Sequence, residues 1–148
     1  MQKIISSCIL TENYPATTIA FQFTILELDS DIIQSMVNCA SLTLYKSDIA
    51  SRCLPISITM FLQSGKEKRS SKSPADWIIL DPTLAHIKNQ QSFSHRITMT
   101  WNVDTQELIS QSLVPLGKPM PLDFSDLELL TGLSLTCARN LHSFIIDL

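Results

Sequence analysis

The sequence has little charge and very little glycine. Asp, Glu, Lys and Arg make up 17% of its 148 residues, whereas roughly a quarter is usual in soluble domains. Its three glycines (Gly65, Gly117 and Gly132) are scattered, which excludes a GxGxxG dinucleotide motif and a phosphate-binding P-loop. The low charge predicts either a compact domain with a large core or a subunit that covers much of its surface with neighbours.

An excess of positive charge is also missing. The formal net charge is −3 and the pI is about 5.5, so no general field attracts nucleic acid and any RNA contact has to be local. One basic cluster stands in a polar stretch at 63–76 and consists of Lys66, Lys68, Arg69 and Lys72. These four residues are weak candidates for RNA binding. The alternative is an ordinary solvated loop.

Long apolar runs and paired cysteines are absent as well. No run approaches the ~20 residues of a membrane span, and the first ten residues are too short and too mixed for a signal peptide. The four cysteines lie far apart and form no CxxC pair. We therefore expect an intracellular protein with no membrane partner, no metal site and no cofactor, whose thiols are buried in a reducing compartment.

The hydrophobic pattern predicts an α+β domain. Strict alternation over residues 17–28 predicts a strand, with Ile19, Phe21, Phe23 and Ile25 on one face. An acidic turn at 29–31 then caps a helix over 32–47, whose apolar stripe contains Ile33, Val37, Ala40 and Leu44.

Further elements complete this pattern. A helix is predicted over 2–10, strands over 53–62 and 77–80, and a hairpin over 93–101 and 107–114. A last helix begins at a capping box formed by Ser125 and Glu128, preceded by Phe124 as a staple residue. The order predicts a single domain over 1–148, with a mixed sheet and helices on one face of it.

Several short motifs occur in an order that resembles a known family. They are Tyr14-Pro15, Ile25-Leu26-Glu27, Ala40-Ser41-Leu42 with Leu44, Asp48-Ile49, and Ile79-Leu80-Asp81-Pro82-Thr83. Together they resemble the second half of RNase PH-like proteins, which form the ring of the eukaryotic RNA exosome. The resemblance implies a fold of the ribosomal S5 domain 2-like type, and it implies that the N-terminal half of the family is missing from this sequence.

The resemblance also locates the positions of the family's phosphate site, and this sequence departs from the family there. Active phosphorolytic members carry a Gly-Thr-Arg-like run before the first helix, where this chain has Asp31-Ile32-Ile33. The family's arginine after proline is Ala16 here. One of two acidic positions is retained as Asp81, and the other is Ile87. Asp81 stands before a proline, so an alternative is that it is simply a turn residue.

These replacements remove the chemistry that a phosphate site needs. Hydrogen-bond donors and positive charge hold a phosphate, but isoleucine side chains supply neither, and Asp31 repels an anion. The histidines His86, His95 and His142 share no spacing with an acid and a nucleophile that would form a catalytic triad. We therefore assign no catalytic residue.

The resemblance and the lost site together predict a function without catalysis. We expect a structural subunit of the exosome ring that supports 3′ to 5′ RNA processing and degradation in the nucleus, the nucleolus and the cytoplasm. Its partners would be other RNase PH-like subunits, with RNA bound weakly or indirectly. Two alternatives stay open, namely an active phosphate-dependent exoribonuclease and a free-standing protein-interaction module.

Overall fold

The centre of the fold is an antiparallel sheet of four strands. In the computed structural model the strands are β1 (Pro55–Gln63), β2 (Ile78–Leu80), β3 (Phe93–Asn102) and β4 (Glu107–Pro115), in the spatial order β2-β1-β3-β4. The structure describes residues 1–27, 31–63, 77–85, 93–116 and 121–148. The four strands predicted between 53 and 114 are confirmed with small shifts of their ends.

The hairpin between β3 and β4 is closed by a tight turn. Residues 103–106 form the turn, and Gln106 has a positive φ of 59°. One extra residue enters β4 beside the turn, because the register shifts between Thr100 and Trp101 of β3. A residue in the left-handed region next to such a bulge lets a short turn follow the twist of the two strands.

In the part of the chain that the structure describes, three α-helices with full bounds contact the sheet. They are α1 (Gln2–Cys8), α2 (Ile32–Lys46) and α3 (Phe124–Ile146), which confirms the predicted helices. Among the described residues, no helix combines the length and the apolar character that a membrane-spanning helix needs.

The main core lies between α3 and one face of the sheet. Side chains of β1 and β3 alternate, so one face carries fully buried apolar residues, namely Ile56, Met60, Ile97 and Met99. Helix α3 covers this face through Leu130, Ala138 and Ile145. The indole Nε1 of Trp101 donates a hydrogen bond to Ser134 Oγ (3.1 Å), which satisfies the polar atom of a buried tryptophan.

Helix α2 takes the place of a neighbouring strand along part of β1. The Asn38 side chain accepts from the Ser57 backbone N–H (2.8 Å) and donates to the Ser57 carbonyl (2.9 Å). The Ser41 hydroxyl donates to the Pro55 carbonyl. Because β2 pairs only with the far end of β1, these side chains satisfy backbone groups that no described strand reaches.

Two predictions about the sheet need correction. Every ladder between described strands is antiparallel, so the sheet seen here is not mixed. The helices also do not all lie on one face of the sheet, because only α3 packs on the apolar face. Helix α2 runs along the edge of β1, and its last turn contacts the end of α3, where the Tyr45 hydroxyl donates to the Ile146 carbonyl (3.0 Å).

The predicted strand over 17–28 is wrong for its described part, residues 17–27, which are not assigned as strand. Its alternation is nevertheless real, because Ile19, Phe21 and Phe23 pack on a second cluster formed by α1 and α2. Ile25, predicted to face inward, is exposed. Alternation fixes which side chains are buried, but a strand also requires a paired neighbour.

The start of α3 also differs from the prediction. Asp123 is the N-cap, and its backbone N–H donates to Asp126 Oδ2 (3.3 Å). The capping pair therefore begins two residues before Ser125, the position that the sequence pattern indicated. Phe124 is the first residue of the helix and is 82% exposed, so it does not act as a staple.

Replacing Gly132 with alanine should stabilise the protein. Gly132 lies exposed within α3, and a Cβ added there would meet no heavy atom within 4 Å. Alanine in an exposed helix is more stable than glycine by about 0.5–1 kcal/mol. We expect Gly132→Ala to raise the free energy of unfolding in urea by that amount. An unchanged or lower value would show that this helix face needs the glycine.

Candidate functional site

The site predicted at the start of α2 is built around the carboxylate of Asp31. Asp31 is the N-cap of α2 and is 7% exposed. Its Oδ1 accepts from the backbone N–H groups of Ile33 (3.0 Å) and Gln34 (3.5 Å). A carboxylate at this position satisfies free helix donors and interacts favourably with the helix dipole. The predicted capping role of the acidic turn is therefore confirmed for Asp31.

The second oxygen of Asp31 binds the sheet. Asp31 Oδ2 accepts from the hydroxyls of Thr59 on β1 (2.6 Å) and Thr98 on β3 (2.9 Å). Thr59 and Thr98 are directly opposite each other in the β1–β3 ladder, and their hydroxyl oxygens are 2.9 Å apart. One buried carboxylate thus joins the first turn of α2 to the two central strands through four hydrogen bonds.

Asp31 also lines a cavity of about 400 Å³. The wall is formed by the first half of α2, residues 23–27 and the turn after β2. Its charged residues are Glu27, Asp31 and Asp81, and none of the described residues that line it is Lys or Arg. All charged residues of the described wall are therefore acidic. The wall also contains the apolar side chains of Ile25, Leu26, Ile32 and Met36.

Asp81 reaches the same cavity from the turn after β2. Its backbone N–H donates to the Thr59 carbonyl (3.0 Å), and its φ is 42°. Aspartate tolerates the left-handed region better than most residues because its short polar side chain bonds locally. Asp81 thus has the conformation of a turn residue, and its backbone meets the same threonine that binds Asp31.

The structure brings together three of the site positions expected from the family. Asp31, Ile32 and Asp81 line one cavity. Ile33 is 47% exposed and does not line it. Ala16 is also outside its wall and has a positive φ of 57° in an exposed turn.

The remaining predicted positions lie outside the described residues. They are Ile87 and the basic cluster Lys66, Lys68, Arg69 and Lys72. RNA binding by this cluster stays a prediction.

Sequence reasoning missed the two threonines that complete the network. In the alternating pattern of their strands, Thr59 and Thr98 occupy positions that are expected to face outward. Thr59 is nevertheless fully buried. A signal was present, because Ser57 and Thr59 in β1 are matched by Thr98 and Thr100 in β3. Short hydroxyl side chains repeated at alternate positions of two strands mark a face that buries polar contacts.

The cysteines are unpaired in the structure and differ in environment. Cys8 is buried, as predicted, but Cys39 is exposed on α2. Burial and a hydrogen bond with the Cys8 thiol raise the pKa of Cys53 to about 12, and burial also raises the pKa of Cys137. In the described parts of the chain, no three His, Cys, Asp or Glu side chains lie close enough to hold a metal ion.

Comparison with known proteins supports the fold. The crystal structure of rice (Oryza sativa) Rrp46, an RNase PH-like subunit of the RNA exosome, is similar with a TM-score of 0.60 at 14% sequence identity. The match covers 81% of this chain and 48% of that chain, so the chain spans about half the length of rice Rrp46. No family model and no curated protein sequence matches. The predicted resemblance is thus confirmed at the level of the fold.

Removing the Asp31 carboxylate should destabilise the protein strongly. Asp31→Ala leaves two helix N–H groups and two threonine hydroxyls without their acceptor. We expect the free energy of unfolding to fall by about 2–4 kcal/mol, measured by urea denaturation. Asp48→Ala removes an exposed aspartate just beyond the other end of α2 and is the matched control, with an expected change below about 0.5 kcal/mol. Equal effects of the two variants would contradict the network.

Cys39 should be the thiol that reacts first with Ellman's reagent. It is exposed, whereas Cys8 is buried and the raised pKa values of Cys53 and Cys137 lower their thiolate fractions at neutral pH. The thiolate is the reactive form. We expect Cys39→Ser to remove the fast phase of the reaction and to leave the slow phases. A fast phase that survives in Cys39→Ser would contradict this assignment.

Proposed function

We propose that the chain is a non-catalytic structural subunit of the RNA exosome core ring. In this role it packs beside other RNase PH-like subunits and supports 3′ to 5′ RNA processing and degradation carried out elsewhere in the complex. The observation that carries the proposal is the network of Asp31, which places a carboxylate where the resemblance locates a phosphate site.

The first support is that the helix donors are already used. The N-terminus of a helix binds phosphate through backbone N–H groups that have no intrahelical partner. At the start of α2 the N–H groups of Ile33 and Gln34 point to Asp31 Oδ1. The chain therefore supplies its own anion to the donors that a phosphate would need.

The second support is electrostatic. Glu27, Asp31 and Asp81 are the charged residues of the described cavity wall, and each one repels a phosphate anion. These carboxylates would repel a phosphate anion in the cavity, and none of the described lining residues is Lys or Arg.

The third support is the fold. Similarity to an exosome RNase PH-like subunit favours membership of the same kind of ring. On this proposal the partners are other RNase PH-like subunits, RNA is bound indirectly or weakly, and the protein works where exosomes work, in the nucleus, nucleolus and cytoplasm. The low charge of the chain is consistent with a surface that neighbouring subunits cover.

A phosphorolysis assay tests the absence of catalysis. We expect the purified chain, given single-stranded RNA and inorganic phosphate, to release no nucleoside diphosphate above the enzyme-free background. A bacterial RNase PH serves as the positive control. Release of nucleoside diphosphates that depends on phosphate and is lost in Asp81→Asn would contradict the proposal and favour an active exoribonuclease.

Purification of the tagged chain from cells tests the partners. We expect other RNase PH-like subunits to co-purify, in fixed ratio, and to remain bound through size-exclusion chromatography. Recovery of the chain without any exosome subunit would contradict the proposal and favour a free-standing interaction module.

The same purification with the Gly132→Ala variant tests the exposed face of α3. Loss of binding in this variant, despite a more stable fold, would place that face in the subunit contact.

A further inference from the structure

Two thiols that are far apart in the sequence meet in the fold. The thiols of Cys8, at the end of α1, and Cys53, just before β1, are joined by a hydrogen bond. Cys8 donates its own hydrogen to the Ile4 carbonyl (3.2 Å from the sulfur), so its sulfur accepts the hydrogen of Cys53. The two sulfur atoms are therefore direct neighbours, although residues 9–52 separate them in the sequence.

The backbone holds the two cysteines in this position. Ile9 and Ser51 form an isolated antiparallel bridge, and the Arg52 N–H donates to the Cys8 carbonyl (2.7 Å). Opposite Cα atoms in such a bridge are about 4.5–5.5 Å apart, and each cysteine lies one or two residues from it. A disulfide spans Cα atoms about 4.4–6.8 Å apart. The pair can therefore close with little movement of the backbone.

The different accessibility of the two thiols sets the order of any reaction. Cys8 is 1% exposed, whereas Cys53 is half-buried. A dissolved disulfide such as glutathione disulfide therefore reaches Cys53 and not Cys8. Cys53 is the attacking thiol, and Cys8 stands next to it as the thiol that resolves the mixed disulfide.

The surroundings of Cys53 make the reaction slow and its product durable. Burial, the hydrogen bond with Cys8 and the nearby carboxylates of Asp104 and Glu107 raise the pKa of Cys53 to about 12. Few Cys53 thiolates exist at neutral pH, and the thiolate is the attacking form. A disulfide is easily reduced when reduction yields a stabilised thiolate. Cys53 offers no such thiolate, so the oxidised form is not opposed.

We propose that Cys8 and Cys53 form a reversible disulfide that ties α1 to the start of β1 under oxidising conditions. The Cys53 sulfur loses its proton and attacks one sulfur of glutathione disulfide, which releases one glutathione. Cys8 then loses its proton and attacks the Cys53 sulfur, which releases the second glutathione. Two protein thiols are oxidised to one disulfide. One glutathione disulfide is reduced to two thiols, which take up the two protons.

The disulfide would strengthen a weakly held element. Helix α1 has seven residues and no side-chain cap at its start, and helices shorter than about 12 residues are marginal without packing. It is held by the apolar contacts of Ile5 and Ile9 with α2. A bond from residue 8 to residue 53 closes a loop of about 45 residues, which restricts the unfolded chain. In a reducing compartment the pair stays open, so oxidation controls how firmly α1 is attached.

Peptide mapping of the full chain tests the proposal. The native Cys39→Ser variant, which lacks the exposed thiol, is incubated with millimolar glutathione disulfide and digested with trypsin without reduction. Trypsin places Cys8 in the fragment 4–46 and Cys53 in the fragment 53–66. We expect these two fragments to be linked and the intact mass to fall by about 2 Da. The Tm should rise by about 5–10 °C and return to its first value with dithiothreitol.

Two further variants serve as controls in the same background. Adding Cys137→Ser removes the other thiol and should leave both the link and the rise in Tm unchanged. Adding Cys53→Ser should abolish both. The peptide map of Cys39→Ser decides the proposal even if the Cys53→Ser chain does not fold.

Several results would overturn the proposal. They are two free thiols after prolonged incubation, glutathione on Cys53 that Cys8 does not displace, a link that forms only in urea, and a linked chain whose Tm does not rise. Linked fragments with a higher Tm that dithiothreitol reverses support it. The inference does not rest on the exosome proposal. None of these outcomes bears on phosphorolysis or on subunit binding, so the two proposals fail separately.

Discussion

The fold depends on a single buried carboxylate that is shared between a helix and a sheet. Asp31 joins the first turn of α2 to Thr59 and Thr98 on the two central strands. A buried carboxylate is costly unless its lone pairs are satisfied, and here four donors satisfy it. Together with the bonds of Asn38 and Ser41 to β1, this residue holds α2 against the sheet and forms part of the wall of the adjacent cavity.

The same contact links stability to function. In a phosphate-binding protein of this architecture, free helix donors and a nearby cation would hold the anion. Here the donors hold Asp31, and the described charged residues around them are acidic. What stabilises the start of α2 therefore works against an anion at that position. This is the arrangement expected of the non-catalytic subunit that we propose.

Much of the fold could be predicted from local pattern, and the failures have a common cause. Helix α2 and the β3–β4 hairpin follow from periodicity and turn residues that act over a few positions. Residues 17–27 alternate as a strand does, but the described chain offers them no partner strand. Ser125 and Glu128 have the spacing of a capping box, but the helix begins earlier, at an aspartate. In both cases a tertiary or neighbouring interaction overrode a local signal.

The site was predictable in part. Asp31, Ile32 and Asp81 were identified from the family resemblance, and they do line one cavity. Thr59 and Thr98 were not identified, because a hydroxyl on a strand reveals its role only when the register of its neighbour is known. Ile33 was expected at the site and instead faces solvent, since adjacent residues of a helix point in different directions.

The most direct test is a diffraction experiment on crystals of the full chain soaked in inorganic phosphate. The account predicts that the carboxylate of Asp31 stays on the N–H groups of Ile33 and Gln34 and on the hydroxyls of Thr59 and Thr98, with no phosphate at the start of α2. An ordered phosphate bound to those N–H groups, with Asp31 turned away, would contradict it.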